Sequence, residues 1–482
     1  MTSFEARRNH LSLGGKFFSQ VQPADFPETV IRYRNTAWAD RLGLSGLTTD
    51  DAAWVDRFAR FTPFEGSLEA PLALAYHGHQ FGVYNPEIGD GRGFLYAQMR
   101  DPVDGRLLDF GTKGSGLTPY SRTADGRLTL KGAVREILAT ERLDALGVNT
   151  SKTFSVIETG EPLERHDEPS PTRSAVLVRL SHGHIRIGSF QRLVFQRETE
   201  ALEELLRYAA ATYHADVLDA DAPFEELAPA FVGEVAIRLA DLAASWMAAG
   251  FVHGVLNTDN FNISGESFDY GPWRFLPRLE PGFTAAYFDH QGRYAYGRQP
   301  EAAFWAVCRL ADGFVDRLGV EPMQQAVTRF QDRINTAMIT AFCRRLGIDA
   351  GWADAPKFTE TLLKALRGSD LDFEAVFFDW YGGSLARQRA ESSKRGGQYK
   401  SRSFTEAAEL LAAAPAAPDI TADHAYFDRP DPLTLHIEEV EAVWAPIARH
   451  DDWQVLQAAL ADIHQMTDAY QLSSHPPAVR IN

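Results

Sequence analysis

The stretch His253-Gly-Val-Leu-Asn257-Thr-Asp259-Asn260, followed nine positions later by Asp269-Tyr270-Gly271, decides the fold. An apolar helical pattern leads into it, with Val232, Val235, Ala236, Leu239, Leu242, Ala243 and Trp246 on one side, and stops at Gly250. The loop that follows is rich in hard oxygen donors, the carboxylates of Asp259 and Asp269 and the amide of Asn260. Such donors suit Mg²⁺ or Mn²⁺. Read alone, Asn-Thr-Asp-Asn is equally a plain turn, because Asn and Asp tolerate turn geometry.

The spacing argues for more than a turn. A protein-kinase catalytic loop carries His first, Asp two later, Asn seven later, and Asp-Phe-Gly downstream. Here Asn260 stands seven after His253, and Asp-Tyr-Gly takes the place of Asp-Phe-Gly. The residue two after His253 is Val255. A valine accepts no proton, so the usual kinase base is missing and ordinary phosphoryl transfer is disfavoured. Asp259 is the carboxylate left to do that work.

Working backward along the chain, Leu107–Gly111 reads as a strand with Lys113 just beyond it. Leu130, Ala133, Val134, Ile137 and Leu138 mark a helix that carries Glu136 and stops at Gly147. A strand lysine held by a helix glutamate is how kinase folds aim an ammonium at nucleotide phosphates; two unrelated surface charges would look the same. Gly93–Met99 is a strand joined to Leu107–Gly111 by a turn at Asp104–Gly105. Thr153–Glu158 and Ser174–Ser181 are two more, around a proline-rich polar loop. Strand, strand, helix, strand, strand is the order of a small α+β lobe. Residues up to about 88 are mixed, with one helix near Asp50–Phe61, and beyond Phe190 the chain turns helical to about Ile463. Ala412–Pro418 reads as a stiff linker. Ser392–Arg402 reads as a basic surface loop, solvated or touching an acidic protein.

Further candidates are weaker singly. Gly89-Asp90-Gly91-Arg92-Gly93 would let backbone N–H groups approach a phosphate, or is a tight hairpin turn. Arg179 and Arg186 could bind phosphate or form surface ion pairs. His77-x-His79 and His182-x-His184 could each place two ligands on one strand face, but spacing suggests no third, and hydrogen-bonded structural histidines fit better. There is no P-loop, no His-Glu-x-x-His, no Gly-x-Ser-x-Gly and no cysteine-based zinc spacing.

Composition bounds the rest. The 482 residues carry Lys+Arg 48 against Asp+Glu 65, a net charge of −17, which disfavours nucleic acid and anionic membranes as partners. Hydrophobic residues at 45% and charged residues at 23% exclude a disordered or coiled-coil chain. No apolar run reaches the roughly 18 residues of a membrane span, and no targeting segment is seen. The two cysteines, Cys308 and Cys343, fall in apolar helical patterns and read as buried thiols of a cytoplasmic protein.

Taken together, the segments resemble the selenoprotein O family, the kinase-like protein AMP-transferases that include the bacterial YdiU proteins. The matching stretches are His79-Gln-Phe-Gly82, Gly89-Asp-Gly-Arg92, Lys113-Gly with Thr118-Pro-Tyr-Ser-Arg122, and Asp125-Gly-Arg127. They continue with Arg135-Glu136, Arg179, Arg186-x-Gly188, His253 to Asn260, and Asp269-Tyr-Gly-Pro272, in order over roughly residues 75–275. The resemblance implies an α+β, bilobal protein-kinase-like fold. Its expected parts are an N-terminal extension (1–88), a small β-rich N-lobe (89–195), a mainly helical C-lobe (196–411) and a helical C-terminal extension (412–482).

It also implies ATP bound in a flipped orientation, AMP transferred to Ser, Thr or Tyr hydroxyls of proteins, the chain itself included, and release of pyrophosphate. By the same resemblance Asp259 is the proton acceptor, and Asn260 and Asp269 hold Mg²⁺ or Mn²⁺. Lys113, Arg179 and Arg186 bind phosphates, Glu136 pairs with Lys113, and Gly89, Gly91, Arg92, Asp125 and Gly126 line the nucleotide. The alternatives are a uridylyltransferase using UTP and Mn²⁺, or a non-catalytic nucleotide-binding pseudokinase. The oligomeric state stays open, a monomer being favoured. The chain departs from the family in three places. Residues 261–268 differ in detail, the match is expected to fade after about residue 390, and the tail from Gln471 to Asn482 lacks the cysteine tied to redox control.

Overall fold

The computed structural model describes residues 4–166 and 168–473. The cysteine-free tail lies outside the described residues from position 474 on. In chain order the strands that matter here are β1 (Glu5–Arg7), β2 (Phe18–Gln20), β3 (Val30–Arg34), β4 (Leu72–Leu74), β5 (Gly78–Gln80) and β6 (Val83–Asn85). They continue with β7 (Leu95–Arg100), β8 (Leu107–Lys113), β9 (Leu128–Thr129), β10 (Lys152–Leu163) and β11 (Thr172–Ser181). Nine of them form one antiparallel sheet in the order β2-β4-β7-β8-β11-β10-β3, with β1 on β7 and β9 on β11. β5 and β6 pair separately.

β8 is buried along its whole length. That explains its apolar run, since a strand covered on both faces need not alternate. The helix Leu130–Ala145 lies across β10 and β11. It starts at Thr129, whose side chain accepts from Gly132 N. It buries Ala133, Val134, Ile137 and Leu138, and Gly147 follows its end with φ +77°. Glu136 is on the same buried side, 1% exposed, so the helix carries a carboxylate under the sheet.

The helices Phe224–Ala248, Gln299–Leu318 and Val320–Arg345 pack together as the centre of the helical part. The helix Gln454–Tyr470 crosses back onto Leu130–Ala145. The molecule is therefore mixed α and β, with a large antiparallel sheet. Among the described residues no helix is long and apolar enough to cross a membrane.

Four local expectations change. The first 88 residues contribute β1 to β4 to the sheet, in strands of three to five residues that are too short to show a period. β10 and β11 run on into the proline-rich loop, with Pro162 opposite Arg173; a register shift between Glu158 and Pro162 accommodates the missing N–H. The Ser392–Arg402 stretch is not a free basic loop. Arg395 is buried against Asp379 (2.7 Å) and Asp431 (2.8 Å), and Tyr399 donates to Asp379 at 2.6 Å. Finally, Cys343 is buried but Cys308 only half so, because it sits beside the buried Ala303, Ala306, Val307 and Leu310 stripe of its helix.

Candidate active site

Lys113 ends β8, and Arg179 lies on the neighbouring β11, opposite Gly111. Lys113 Nζ reaches Glu136 Oε2 at 2.7 Å and Asp269 Oδ1 at 2.8 Å. Arg179 Nη1 reaches the same Asp269 oxygen at 3.4 Å and stands 3.9 Å from Glu136 Oε1. One sheet, one helix and one loop thus converge on a cluster of two cations and two anions. Asp269 has φ +60°, an uncommon backbone for an aspartate and a frequent mark of functional loops. Burial alone would raise its pKa, but Lys113, Arg179 and Arg92 together hold it well below the usual carboxylate range.

Arg179 is aimed by its own support. Its Nε donates to His184 Nε2 at 3.2 Å, while His184 Nδ1 faces Asp109 Oδ2 at 3.3 Å. Burial lowers the His184 pKa and keeps the ring neutral, so Nε2 can accept. Gly111 makes this possible, because a Cβ there would lie 2.3 Å from His184 Nε2. His182 Nδ1 meets the Leu107 carbonyl at 2.7 Å. His77 bonds Tyr84 and His79 bonds Gln191, each at 2.8 Å. Each of the four histidines has a hydrogen-bond partner, and among the described residues no group of three or more His, Cys, Asp or Glu is spaced to hold a metal.

The loop bearing Asp259 is built from both sides. Residues Thr258–Asn260 form a single 3-10 turn. Thr258 Oγ1 accepts from His79 N at 2.7 Å and bonds Gln191, and Asn257 Oδ1 accepts from Phe81 N (3.0 Å) and the Tyr294 hydroxyl (2.8 Å). His253 is fully buried, its pKa lowered by burial, and its Nε2 donates to the Phe268 carbonyl at 3.0 Å. It therefore fixes the peptide just before Asp269. Asp259 Oδ1 is buried with no hydrogen-bond partner among the described residues. Burial, opposed mainly by Arg186 and reinforced by Asp269, raises the Asp259 pKa to about 6.

Arg186 forms the third corner. It pairs with Asp90 Oδ1 at 3.1 Å, its guanidinium lies 4.0 Å from the Tyr76 ring, and it stands 5.2 Å from Phe268. Arg179 approaches the same Phe268 ring at 5.0 Å. One ring is thus within cation–π reach of both guanidiniums. Gly89 and Gly91 pack on the turn at Tyr120, where a Cβ on Gly89 would fall 2.4 Å from the ring. Arg92 is exposed and within electrostatic reach of Asp269. Asp125 is different. Its carboxylate is held by Arg165 at 2.7 Å, at the surface, and Gly126 beside it closes over Gly116 with φ +69°.

The donor set suits a hard divalent ion. Asn260 Nδ2 donates to the Val255 carbonyl at 3.0 Å, which turns Oδ1 the other way. Lys113 and Arg179 both meet Asp269 at Oδ1. Two protein oxygens with nucleotide phosphates completing the shell is a common arrangement for Mg²⁺.

No role at the nucleotide is expected from the sequence for Asp90, Tyr76, Phe268, His184 or Gly188, although Asp90, His184 and Gly188 stand in motifs quoted above. Asp90 sat inside a quoted glycine motif, and its charge between two glycines was the available signal. Gly188 packs on the Asp259 loop: its carbonyl accepts from His77 N at 3.1 Å, and a Cβ would lie 2.1 Å from the His77 carbonyl.

A family model described as Protein adenylyltransferase SelO matches residues 2–464. A Synechococcus elongatus protein named protein nucleotidyltransferase YdiU is 41% identical, over 93% of this chain and 92% of its own length. Proteins of the same name from Synechocystis and Trichodesmium erythraeum are 42% and 45% identical, covering 92% and 76% of this chain and 94% and 78% of their own lengths. The family match runs well past residue 390, which corrects the expectation that the likeness fades there. That region is helical, and its apolar repeat carries no short motif by which to see kinship.

Proposed function

The chain belongs to the SelO family, an enzyme family of protein nucleotidyltransferases, and on that premise we propose that it transfers AMP from ATP to Ser, Thr or Tyr hydroxyls of proteins, itself included. Asp259 carries this reading. It is a carboxylate with an unpartnered buried oxygen and a pKa near 6, so it is ionised at neutral pH and still basic enough to accept a proton. The acceptor oxygen attacks the α-phosphorus, its proton passes to Asp259, and the bond from that phosphorus to the bridging oxygen breaks. Pyrophosphate leaves with the electron pair. Val255, at the position of the usual kinase base, argues against transfer of the γ-phosphoryl group.

The sheet-bearing segment 89–195 is read as the N-lobe of a bilobal kinase-like fold and 196–411 as the C-lobe, flanked by 1–88 and 412–482. The triphosphate lies between them backwards, its α-phosphate toward Asp259. Lys113, Arg179 and Arg186 neutralise its charge, Glu136 holds Lys113, and Gly89, Gly91 and Arg92 line the approach, with Asp125 and Gly126 at the outer edge. Asn260 and Asp269 would hold Mg²⁺ or Mn²⁺, which lowers the charge barrier to nucleophilic attack when bound. The cytoplasm supplies ATP and reduced thiols, and is the compartment this reading expects.

The test is incubation with α-labelled ATP, a divalent ion and cell lysate. Label on protein that disappears in Asp259→Ala supports AMP transfer. Transfer of γ-label would overturn it, and preferential use of UTP in competition would move the assignment to uridylyl transfer.

A further inference from the structure

The hairpin of β5 and β6 lies against the loop that carries Asp259, and one of its faces looks onto the carboxylate. A Cβ on Gly78 would lie 2.9 Å from Asp259 Oδ1 and 3.2 Å from Asp259 Cβ. In the hairpin Gly78 stands opposite Asn85, and Gln80 opposite Val83. Residues two apart on a strand point to the same side, and so do residues paired across a ladder. Gln80 and Asn85 therefore leave the hairpin on the Asp259 side.

The direction of each amide on that face is fixed in turn. The backbone N–H of Glu87 donates to Asn85 Oδ1 at 2.9 Å. A backbone N–H only donates, so Asn85 Nδ2 is the end turned the other way. Asn85 Nδ2 donates to Gln80 Oε1, again at 2.9 Å. Gln80 is left presenting Nε2, a donor, on its far side. Burial raises the Asp259 pKa, and a side-chain hydrogen bond from Gln80 is among the influences that oppose it. Asp259 Oδ1 has no hydrogen-bond partner among the described residues. The orientation starts at one main-chain N–H and reaches the carboxylate without any charged side chain.

We propose that Gln80 is a positioning residue for Asp259: its Nε2 donates to the carboxylate, fixes its rotation and leaves one oxygen to face the acceptor hydroxyl. This rests on the reading of Asp259 as the proton acceptor. A single neutral donor holds the carboxylate and leaves it a free oxygen, whereas an arginine in the same place would grip both. Asn85 acts one step further out, by deciding which end of the Gln80 amide meets Asp259.

The experiment measures label transfer to lysate protein from α-labelled ATP and, separately, from α-labelled UTP, with thermal midpoints recorded for every variant. Gln80→Ala is expected to lower kcat about tenfold and leave the KM for nucleotide unchanged. Gln80→Glu keeps the shape but offers only acceptors, so its kcat should fall below that of Gln80→Ala. A residue needed only for its shape would tolerate glutamate better than alanine, and that order overturns the proposal. A raised KM with unchanged kcat places Gln80 on the nucleotide and likewise overturns it. Asn85→Asp still accepts from Glu87 N but turns the Gln80 amide round. Its kcat should fall as in Gln80→Ala, and no further when both residues are changed; additive losses overturn the role of Asn85. Stability gives a readout free of turnover. At pH 8, Gln80→Glu should lower the thermal midpoint, and lower it less in an Asp259→Asn background, where the second carboxylate is gone. Equal lowering in both overturns the contact. UMP transfer in place of AMP transfer would overturn the AMP reading and, with the same order of variants, uphold the role of Gln80. Transfer from neither nucleotide by the unaltered protein would end the reading of Asp259 as a base, and this inference with it.

Discussion

The ammonium of Lys113 lies 2.8 Å from Asp269 Oδ1, so the strand that carries the cation and the loop that carries the candidate metal ligand are already locked together. Glu136 on the far side, at 2.7 Å, keeps Lys113 from collapsing fully onto that loop. The cluster is close to neutral by itself, with two cations facing two carboxylates. A bound triphosphate would tip it negative, and a divalent ion restores the balance.

From this pairing follows the behaviour of Asp269→Asn. The neutral amide keeps the shape but removes one ligand charge and one repulsion toward phosphate. Turnover is expected to fall about 100-fold or more, as when a preorganised electrostatic partner is removed. Metal-free ATP should bind as well as to the unaltered protein or better. Titration of ATP with and without Mg²⁺ measures both effects; a variant whose ATP binding stayed as metal-dependent as before would refute the ligand role.

Asp259 gives a pH dependence with a definite sign. Its folded pKa, about 6, is above its ordinary value of 3.8. Activity should fall as pH drops through about 6, because the base becomes protonated. Stability runs the other way: the ionised form is the costly one, so this group's contribution improves as pH falls from above 6 toward 4. Asp259→Asn should therefore be inactive yet more stable at pH 7, by on the order of 1–2 kcal/mol after allowing for partial exposure. Thermal unfolding at pH 5 and pH 7 checks this; equal stability gaps at both pH values would contradict it.

Arg186 is stacked as well as charged, with Tyr76 at 4.0 Å and Phe268 at 5.2 Å. Lysine would keep the charge and lose the planar face and the fork. Arg186→Lys is expected to raise the KM for nucleotide roughly tenfold with little change in thermal midpoint. Steady-state kinetics over ATP concentration measures it. If lysine restored full affinity, charge alone would be the requirement.

Much of this site could be read in the chain, for physical reasons. Lys113 and Glu136 are displayed by a strand and a helix whose periodicities are strong, and the spacing of His253, Asn260 and Asp269 is set within one continuous loop. Contacts between distant segments left no such trace. Asp90 meets Arg186, and Gly111 makes room for His184, only through tertiary packing. The three-residue strands β1, β2 and β4 are recruited by edges of the sheet that the local sequence does not announce. Arg395 looked solvated because its partners, Asp379 and Asp431, lie far along the chain on either side.

Gly188 offers a sharper test of how the Asp259 loop is held. It is the second residue of the helix Ile187–Phe195, and its carbonyl accepts from His77 N at 3.1 Å, just before β5. β5 in turn binds the Thr258 hydroxyl through His79 N. An alanine Cβ at 188 would lie 2.1 Å from the His77 carbonyl and 3.6 Å from Asp259 Cα. Backbone rather than a flexible side chain is in the way, so strand β5 must move, and Thr258 and Asp259 move with it. Gly188→Ala is expected to cost about 1–3 kcal/mol of stability, typical of overpacking, and to lower kcat more than it changes the KM for nucleotide, since Arg179 and Lys113 stand on the undisturbed sheet. Unfolding in urea and label transfer under saturating ATP separate the two effects. A variant with full kcat would show that the approach of Gly188 to the β5 backbone does not position Asp259.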